Sequence, residues 1–261
     1  MQKLAEALLN ELRPAEVRRI CIGLHWTAVA VVGPDGLRCG LASTIRAEGP
    51  HGTAEVPQAG QLETLPALEL ARLALEASGP LAGVGAAAIN AMLPPPPPPW
   101  HDVNAELVLG SMAAGRRLVL VGHFPFVDRL RAGGQQLTVI ERQPLPGDMP
   151  ESQAAGVVPE AEVVAITGMA WVNHSLEGLL SHVSPKARLM MLGPSTPLSP
   201  LLFERGFDIL SGSQVTDAEG VLKAVSQGAN FRQVHHAGVR LITVLRPGLE
   251  LPVAQEIADG K

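Results

Sequence analysis

Short apolar runs separated by polar breaks set the plan of this chain. Residues 2–12 place Leu4, Ala5, Leu8, Leu9 and Leu12 on one stripe, the pattern of an amphipathic helix that Pro14 ends or bends. Apolar runs over 17–23, 26–32 and 37–42 read as strands, and Gly33-Pro34-Asp35-Gly36 between the last two reads as a turn. An antiparallel meander is the expectation. Helical spacing returns over 65–76, and 81–93 reads as a helix of Ala, Gly and Val whose small side chains let a neighbour approach closely. Asn90 interrupts that apolar stretch, either as a packing or capping hydrogen bonder or as a residue facing a site.

Six consecutive prolines, 94–99, favour a stiff extended spacer of about 3.1 Å per residue. They divide the chain into a small α+β domain over 1–93 and a larger domain over 100–261. In the second part strands alternate with helices. Strands are expected at 118–121, 137–140, 163–167, 189–192, 207–210 and 239–245. Helices are expected at 102–114, capped by Asp102, and at 126–131, 151–156, 175–183, 198–204 and 217–227. This alternation predicts an α/β fold, a mainly parallel sheet with helices on both faces. Ligands of such sheets collect beyond the carboxyl ends of the strands. The polar loops Ser195-Thr196 and Ser211-Gly212-Ser213 are expected there.

Composition narrows the function. A formal charge of −5, with acidic residues in excess on both sides of the prolines, argues against nucleic acid. No apolar run is long enough to span a bilayer, and the N-terminus lacks a secretory pattern, so a cytoplasmic protein without a membrane partner is expected. Cys21 and Cys39 are expected to be reduced, small and buried. The sequence leaves the oligomeric state open, a homodimer included.

Candidate chemistry sits in the strand-to-helix turns. The first, Gly122-His123-Phe124-Pro125, has one glycine where a dinucleotide site wants several, which counts against NAD and FAD. Glu141 closes the next strand about twenty residues on, the spacing of an acid that holds ribose hydroxyls; an ion pair with Arg142 or Arg116 is the plainer alternative. Thr167 ends the third strand, Asn173 suits an N-cap, and His174 begins the following helix. His123, Glu141 and His174 on one rim would be a metal site with open positions. No CxxC, HExxH, Walker loop or nucleophile elbow is present. His235 and His236 are consecutive, so on a strand they would face opposite ways. His51 reads as a solvated loop residue. In Gly193–Pro200 three prolines lack N–H groups, so Ser195, Thr196 and Ser199 are expected to form a stiff wall for neutral polar groups or one carboxylate.

The ordered motifs Val121-Gly-His-Phe-Pro, Val139-Ile-Glu-Arg, Ile166-Thr-Gly, Asn173-His174, Leu192-Gly-Pro-Ser-Thr-Pro-Leu-Ser-Pro and Leu210-Ser-Gly resemble the "putative heavy-metal chelation" family, a domain of unknown function. Gly23-Leu-His-Trp-Thr, Gly40-Leu-Ala-Ser-Thr44 and Ala88-Ile-Asn90-Ala resemble its small companion domain. The resemblance covers nearly the whole chain. It implies an N-terminal domain like the cap of enolases, a Rossmann-like C-terminal domain, and a ligand site in the crevice between them. It adds Thr44 and Asn90 as an opposing wall to His123, Phe124, Glu141, Thr167, Asn173, His174, Gly193, Ser195, Thr196 and Gly212. The implied function is binding or handling of a divalent or heavy metal ion, or of a metal complex. Lacking a thiolate cluster, the protein is expected to hold metal weakly or together with a second ligand. The alternative is an enzyme acting on a small nucleoside-like or pterin-like metabolite in the same cleft; whether any reaction is catalysed is left open.

Overall fold

The structure is a computed structural model that describes residues 2–46 and 56–252. His51 and the tail from residue 253 lie outside them. Helix α1 (Gln2–Glu11) leads into strands β1 (Glu16–Ile22), β2 (Trp26–Gly33) and β3 (Gly36–Ser43), then helices α2 (Ala67–Glu76) and α3 (Pro80–Met92). The three strands form an antiparallel sheet in chain order. Its middle is buried on both faces. Val29, Val31 and Ala42 join the core beneath α3, whereas Ala28, Ala30, Cys39 and Leu41 face the other way. Burial pushes the Cys39 thiol up to about 12, so it is an inert core residue, while Cys21 is half-buried; both are free.

After the prolines come β4 (Trp100–His101), α4 (Ala105–Met112), β5 (Arg117–Val121), α5 (Val127–Ala132), β6 (Gln136–Glu141), β7 (Met149–Pro150), α6 (Ala154–Val157) and β8 (Val163–Thr167). They are followed by α7 (Met169–Val172), α8 (Leu176–Leu180), β9 (Arg188–Leu192), α9 (Leu201–Glu204), β10 (Ile209–Val215), α10 (Ala218–Ser226), α11 (Phe231–His236) and β11 (Val239–Leu245). The sheet order is β4-β11-β10-β9-β8-β5-β6-β7. Strands β10 to β7 run parallel along that order, and β11 and β4 are antiparallel additions at one edge. The chain steps outward from β5 in one direction and then returns to continue from β8 in the other. The switch point of this α/β sheet therefore lies between β5 and β8.

Several local expectations are corrected. Helix α4 is capped by Asn104, whose side chain accepts the Glu106 N–H, because Asp102 is drawn into a 2.7 Å bond with Arg240. Ser211-Gly212-Ser213 is not a loop. It is the middle of β10, where full pairing with β11 and a 2.6 Å hydroxyl pair between Ser211 and Thr243 satisfy the polar groups. The helix expected at 198–204 shrinks to α9, since the prolines hold 194–200 out of helical form. His235 and His236 end helix α11 instead of lying on a strand.

The two parts share one core. Helix α10 covers the second face of the small sheet through Val221, Leu222 and Val225. On the first face α3 comes within backbone distance of its neighbours. A Cβ on Gly40 would lie 2.1 Å from the Ala87 carbonyl, and one on Gly85 would lie 2.0 Å from the Ala74 nitrogen. Gly40→Ala is expected to cost about 1–3 kcal/mol or more by overpacking, a fall of about 2–4 °C in Tm per kcal/mol. Gly178→Ala, in open space on α8, is expected to leave the Tm unchanged or slightly raised. Thermal melts of both variants check this; a Gly40→Ala protein as stable as wild type would contradict the packing.

Candidate functional site

The carboxyl ends of β5 and β9 finish in glycines of matching conformation, Gly122 at φ +103° and Gly193 at φ +105°. A Cβ on Gly122 would meet Thr167 at 3.0 Å and the Phe124 ring at 3.3 Å; one on Gly193 would meet the same ring at 3.6 Å. Phe124 therefore lies across the crest of the sheet over the switch point, on a seat that needs glycine. Its ring stacks on Phe126 with centroids 5.1 Å apart.

His123 turns the other way. Its backbone N–H donates to Glu141 Oε2 at 2.9 Å, and Glu141 Oε1 accepts the Arg142 N–H at 2.7 Å. Both Glu141 oxygens thus bind backbone and fix the turn. The His123 imidazole reaches Asp148, with Nδ1 2.7 Å from Oδ2. The Asp148 side chain is 0% exposed and also accepts from Arg131 at 3.0 Å and from the Leu145 N–H at 3.1 Å. Burial alone would raise its pKa, but hydrogen bonds from His123, Leu145 and Arg131 outweigh burial and hold the carboxyl below its usual range. An ionised carboxylate only accepts, so Nδ1 carries a proton, and in the neutral ring Nε2 is the atom with the lone pair. The His123 side chain is 24% exposed, and among the described residues Nε2 has no hydrogen-bond partner.

The other candidates lie along the seam between the two parts. Ser195 is its hub. The hydroxyl of Ser195 accepts the Ser43 N–H at 2.9 Å and pairs with the Ser43 hydroxyl at 3.1 Å, and its carbonyl accepts the Trp171 Nε1–H at 2.8 Å. The Asn90 amide donates to the Leu41 carbonyl at 3.0 Å, with Ser195 O at 3.5 Å. Thr44 pairs with Thr27 at 2.9 Å. Gly168 and Gly212 let the 194–198 loop approach: a Cβ there would lie 2.6 Å from Thr196 N and 2.9 Å from Leu198. Ser195 and Thr196 are each 2% exposed. The wall expected to meet a ligand meets the first part of the chain.

Asn173 is not the helix cap; its side chain closes a turn by accepting the Ser175 N–H at 3.1 Å. His174, in the left-handed region at φ +67°, donates from Nε2 to the Ala74 carbonyl across the seam at 2.8 Å. Nearby, between α1, α2, α7 and α8, is a cavity of ≈ 70 Å³, far below the size of a metabolite pocket. The trio His123, Glu141 and His174 does not make a metal centre. Glu141 is held by backbone and His174 by Ala74, and among the described residues no group of three His, Cys, Asp or Glu could hold a metal ion. Asp148 and Arg131 escaped sequence reasoning, because an Asp after a glycine in a Pro-rich loop reads as a turn residue.

The chain belongs to the DUF364 family, whose model, described as "Putative heavy-metal chelation", matches residues 107–243. A second model with the same description, DUF4213, matches residues 5–93. Among solved structures, the chain is similar to a protein with unknown function from the DUF364 family of Desulfitobacterium hafniense DCB-2. The two are 25% identical, with a TM-score of 0.76 over 94% of this chain and 99% of that one. A Pyrococcus horikoshii protein with unknown function from the same family shares the fold at 18% identity, with a TM-score of 0.74 over 94% and 98%. No curated protein matches the chain. Among the described residues no helix is long and apolar enough to cross a membrane.

The depressed Asp148 pKa has a signed consequence. Its stabilisation is present above the ordinary carboxylate value of 3.8 and is lost as pH falls through the lower folded value. Asp148→Asn is expected to cost about 1–3 kcal/mol near neutral pH, the penalty for disturbing a buried hydrogen-bonded group. Urea unfolding across pH 3 to 7 is expected to show the gap from wild type closing in acid. A gap that is constant with pH would contradict the assignment.

Proposed function

We propose that this protein handles a metal that arrives already chelated, with His123 Nε2 taking one open coordination position. The observation that carries the reading is the 2.7 Å bond from His123 Nδ1 to the buried side chain of Asp148. A carboxylate behind an imidazole fixes its tautomer, orients it and raises its basicity as a ligand. One imidazole is too few for a bare ion, which takes three or four protein ligands. It suits a metal that brings its other ligands with it. The family description supports metal as the cargo.

The same pair supports a second reading, an enzyme acting on a small metabolite with Nε2 as general base. Its nucleoside-like form loses support, because Glu141 has both oxygens on backbone N–H groups and none left for ribose.

The test is calorimetric titration of untagged protein with nickel(II)–iminodiacetate and with free nickel(II). One site for the chelate, and weaker binding of the free ion, are expected. Asp148→Asn is expected to lower chelate affinity about 10- to 100-fold, as loss of an outer carboxylate does, and His123→Gln to abolish the site. Unchanged binding by His123→Gln, or a stoichiometric zinc held by the purified protein alone, would overturn the proposal.

A further inference from the structure

His123 and Arg131 belong to one stretch of chain, His123 on the turn after β5 and Arg131 in the last turn of α5. Both reach Asp148, in the loop between β6 and β7. Its carboxylate is divided between them. Oδ1 accepts from Arg131 Nη2 at 3.0 Å, while Oδ2 accepts from His123 Nδ1 at 2.7 Å and from the Leu145 N–H at 3.1 Å. The same Nη2 donates to the Gly147 carbonyl at 3.1 Å. One guanidinium nitrogen thus grips both the peptide that enters Asp148 and the Asp148 carboxylate. Arg131 is committed little elsewhere: its other ion pair, with the 91% exposed Asp128, is 3.6 Å long.

The loop backbone has its own support. The Asp148 N–H donates to the Leu145 carbonyl at 2.9 Å, and Gly147, at φ +90°, takes the left-handed place after Pro146 that a tight turn requires. That turn places the Asp148 backbone, but the terminal torsion of an Asp side chain is broad. The carboxylate is kept from turning by donors on both oxygens, Arg131 on one and His123 with Leu145 on the other. With the side chain 0% exposed, bulk solvent cannot replace a lost donor. We infer that Arg131 is a positioning residue: by holding Oδ1 it keeps Oδ2 turned on His123 Nδ1, and so fixes the orientation and tautomer in which Nε2 is presented to a metal. This inference rests on the reading of His123 as the metal's protein ligand. A simple loop clamp would steady the fold without governing the ring, and that difference can be measured.

Nickel(II)–iminodiacetate is titrated into wild type, Arg131→Met, Asp148→Asn and the variant carrying both changes, each with a thermal melt to confirm folding. Arg131→Met is expected to lower the affinity about 10-fold, as loss of an outer partner does. In the double variant the Arg131 change is expected to add nothing, because it acts through Asp148. Nitrogen-15 spectra of the metal-free protein in mildly alkaline buffer are expected to show the His123 proton on Nδ1 in wild type and shared between the two ring nitrogens in Arg131→Met. Arg131→Gln, whose shorter side chain gives up the same contacts, is read in the same way if Arg131→Met does not fold. Unchanged affinity and tautomer in the folded Arg131 variant, or losses that add in the double variant, overturn the inference and leave the His123 reading standing. If wild type does not bind the chelate, or if His123→Gln binds it as wild type does, that reading fails and the inference fails with it.

Discussion

A three-stranded sheet buried on both faces cannot stand on its own helices alone, and that constraint governs the molecule. Ala28, Val29, Ala30 and Val31 in β2 are each no more than 1% exposed. Alternate residues on a strand face opposite ways, so one set packs under α3 and the other under α10. The second cover comes from beyond the prolines. The two halves of the sequence are therefore bound by apolar burial, the largest favourable contribution to folding. The Ser195 hub supplies the directional part: its hydroxyl and carbonyl satisfy Ser43 and Trp171 at the point where the halves meet. Buried polar groups that are paired in this way fix one relative placement and not merely contact.

Closing the seam leaves the β5 turn, at the crest of the sheet, as the candidate site. With Ser195, Thr196 and Asn90 turned inward, the β5 turn presents His123 on one side and Phe124 on the other. A fully buried carboxylate is costly unless several donors meet it. Asp148 has three, from His123, Arg131 and Leu145, and that need fixes the imidazole. The backbone of the same turn is held by Glu141. Two carboxylates thus divide the work: one orients the ring, and the other holds the turn beneath it.

Much of this fold was legible in the sequence, for a physical reason. Parallel strands buried on both faces need continuous apolar runs, and residues 118–121, 163–167 and 189–192 stand out between glycines and polar turns. Strand order was not legible, because register and crossover leave no local mark. Ser211-Gly212-Ser213 read as a loop since hydroxyls and glycine favour turns; in the sheet they are satisfied by Thr243 and by the close approach of Leu198. At the site the sequence placed His123 and His174 after strand ends; His123 follows β5, whereas helix α7 stands between β8 and His174. It could not say which way each ring turns, and that decides whether they cooperate. Ser195 shows the same ambiguity, since a hydroxyl that holds a seam looks like a hydroxyl that holds a ligand. Asp148 left no signal at all, since its role appears only when the loop before β7 folds against β5.

The central claim is that one imidazole, His123, and no other protein group, enters the coordination sphere of an arriving metal complex. X-ray absorption at the nickel edge tests it most directly. The protein would be loaded with one equivalent of nickel(II)–iminodiacetate, and the imidazole scattering would be counted. The account predicts one imidazole per nickel in wild type and none in His123→Gln. Two or more imidazoles in wild type, or one that persists in His123→Gln, would contradict it.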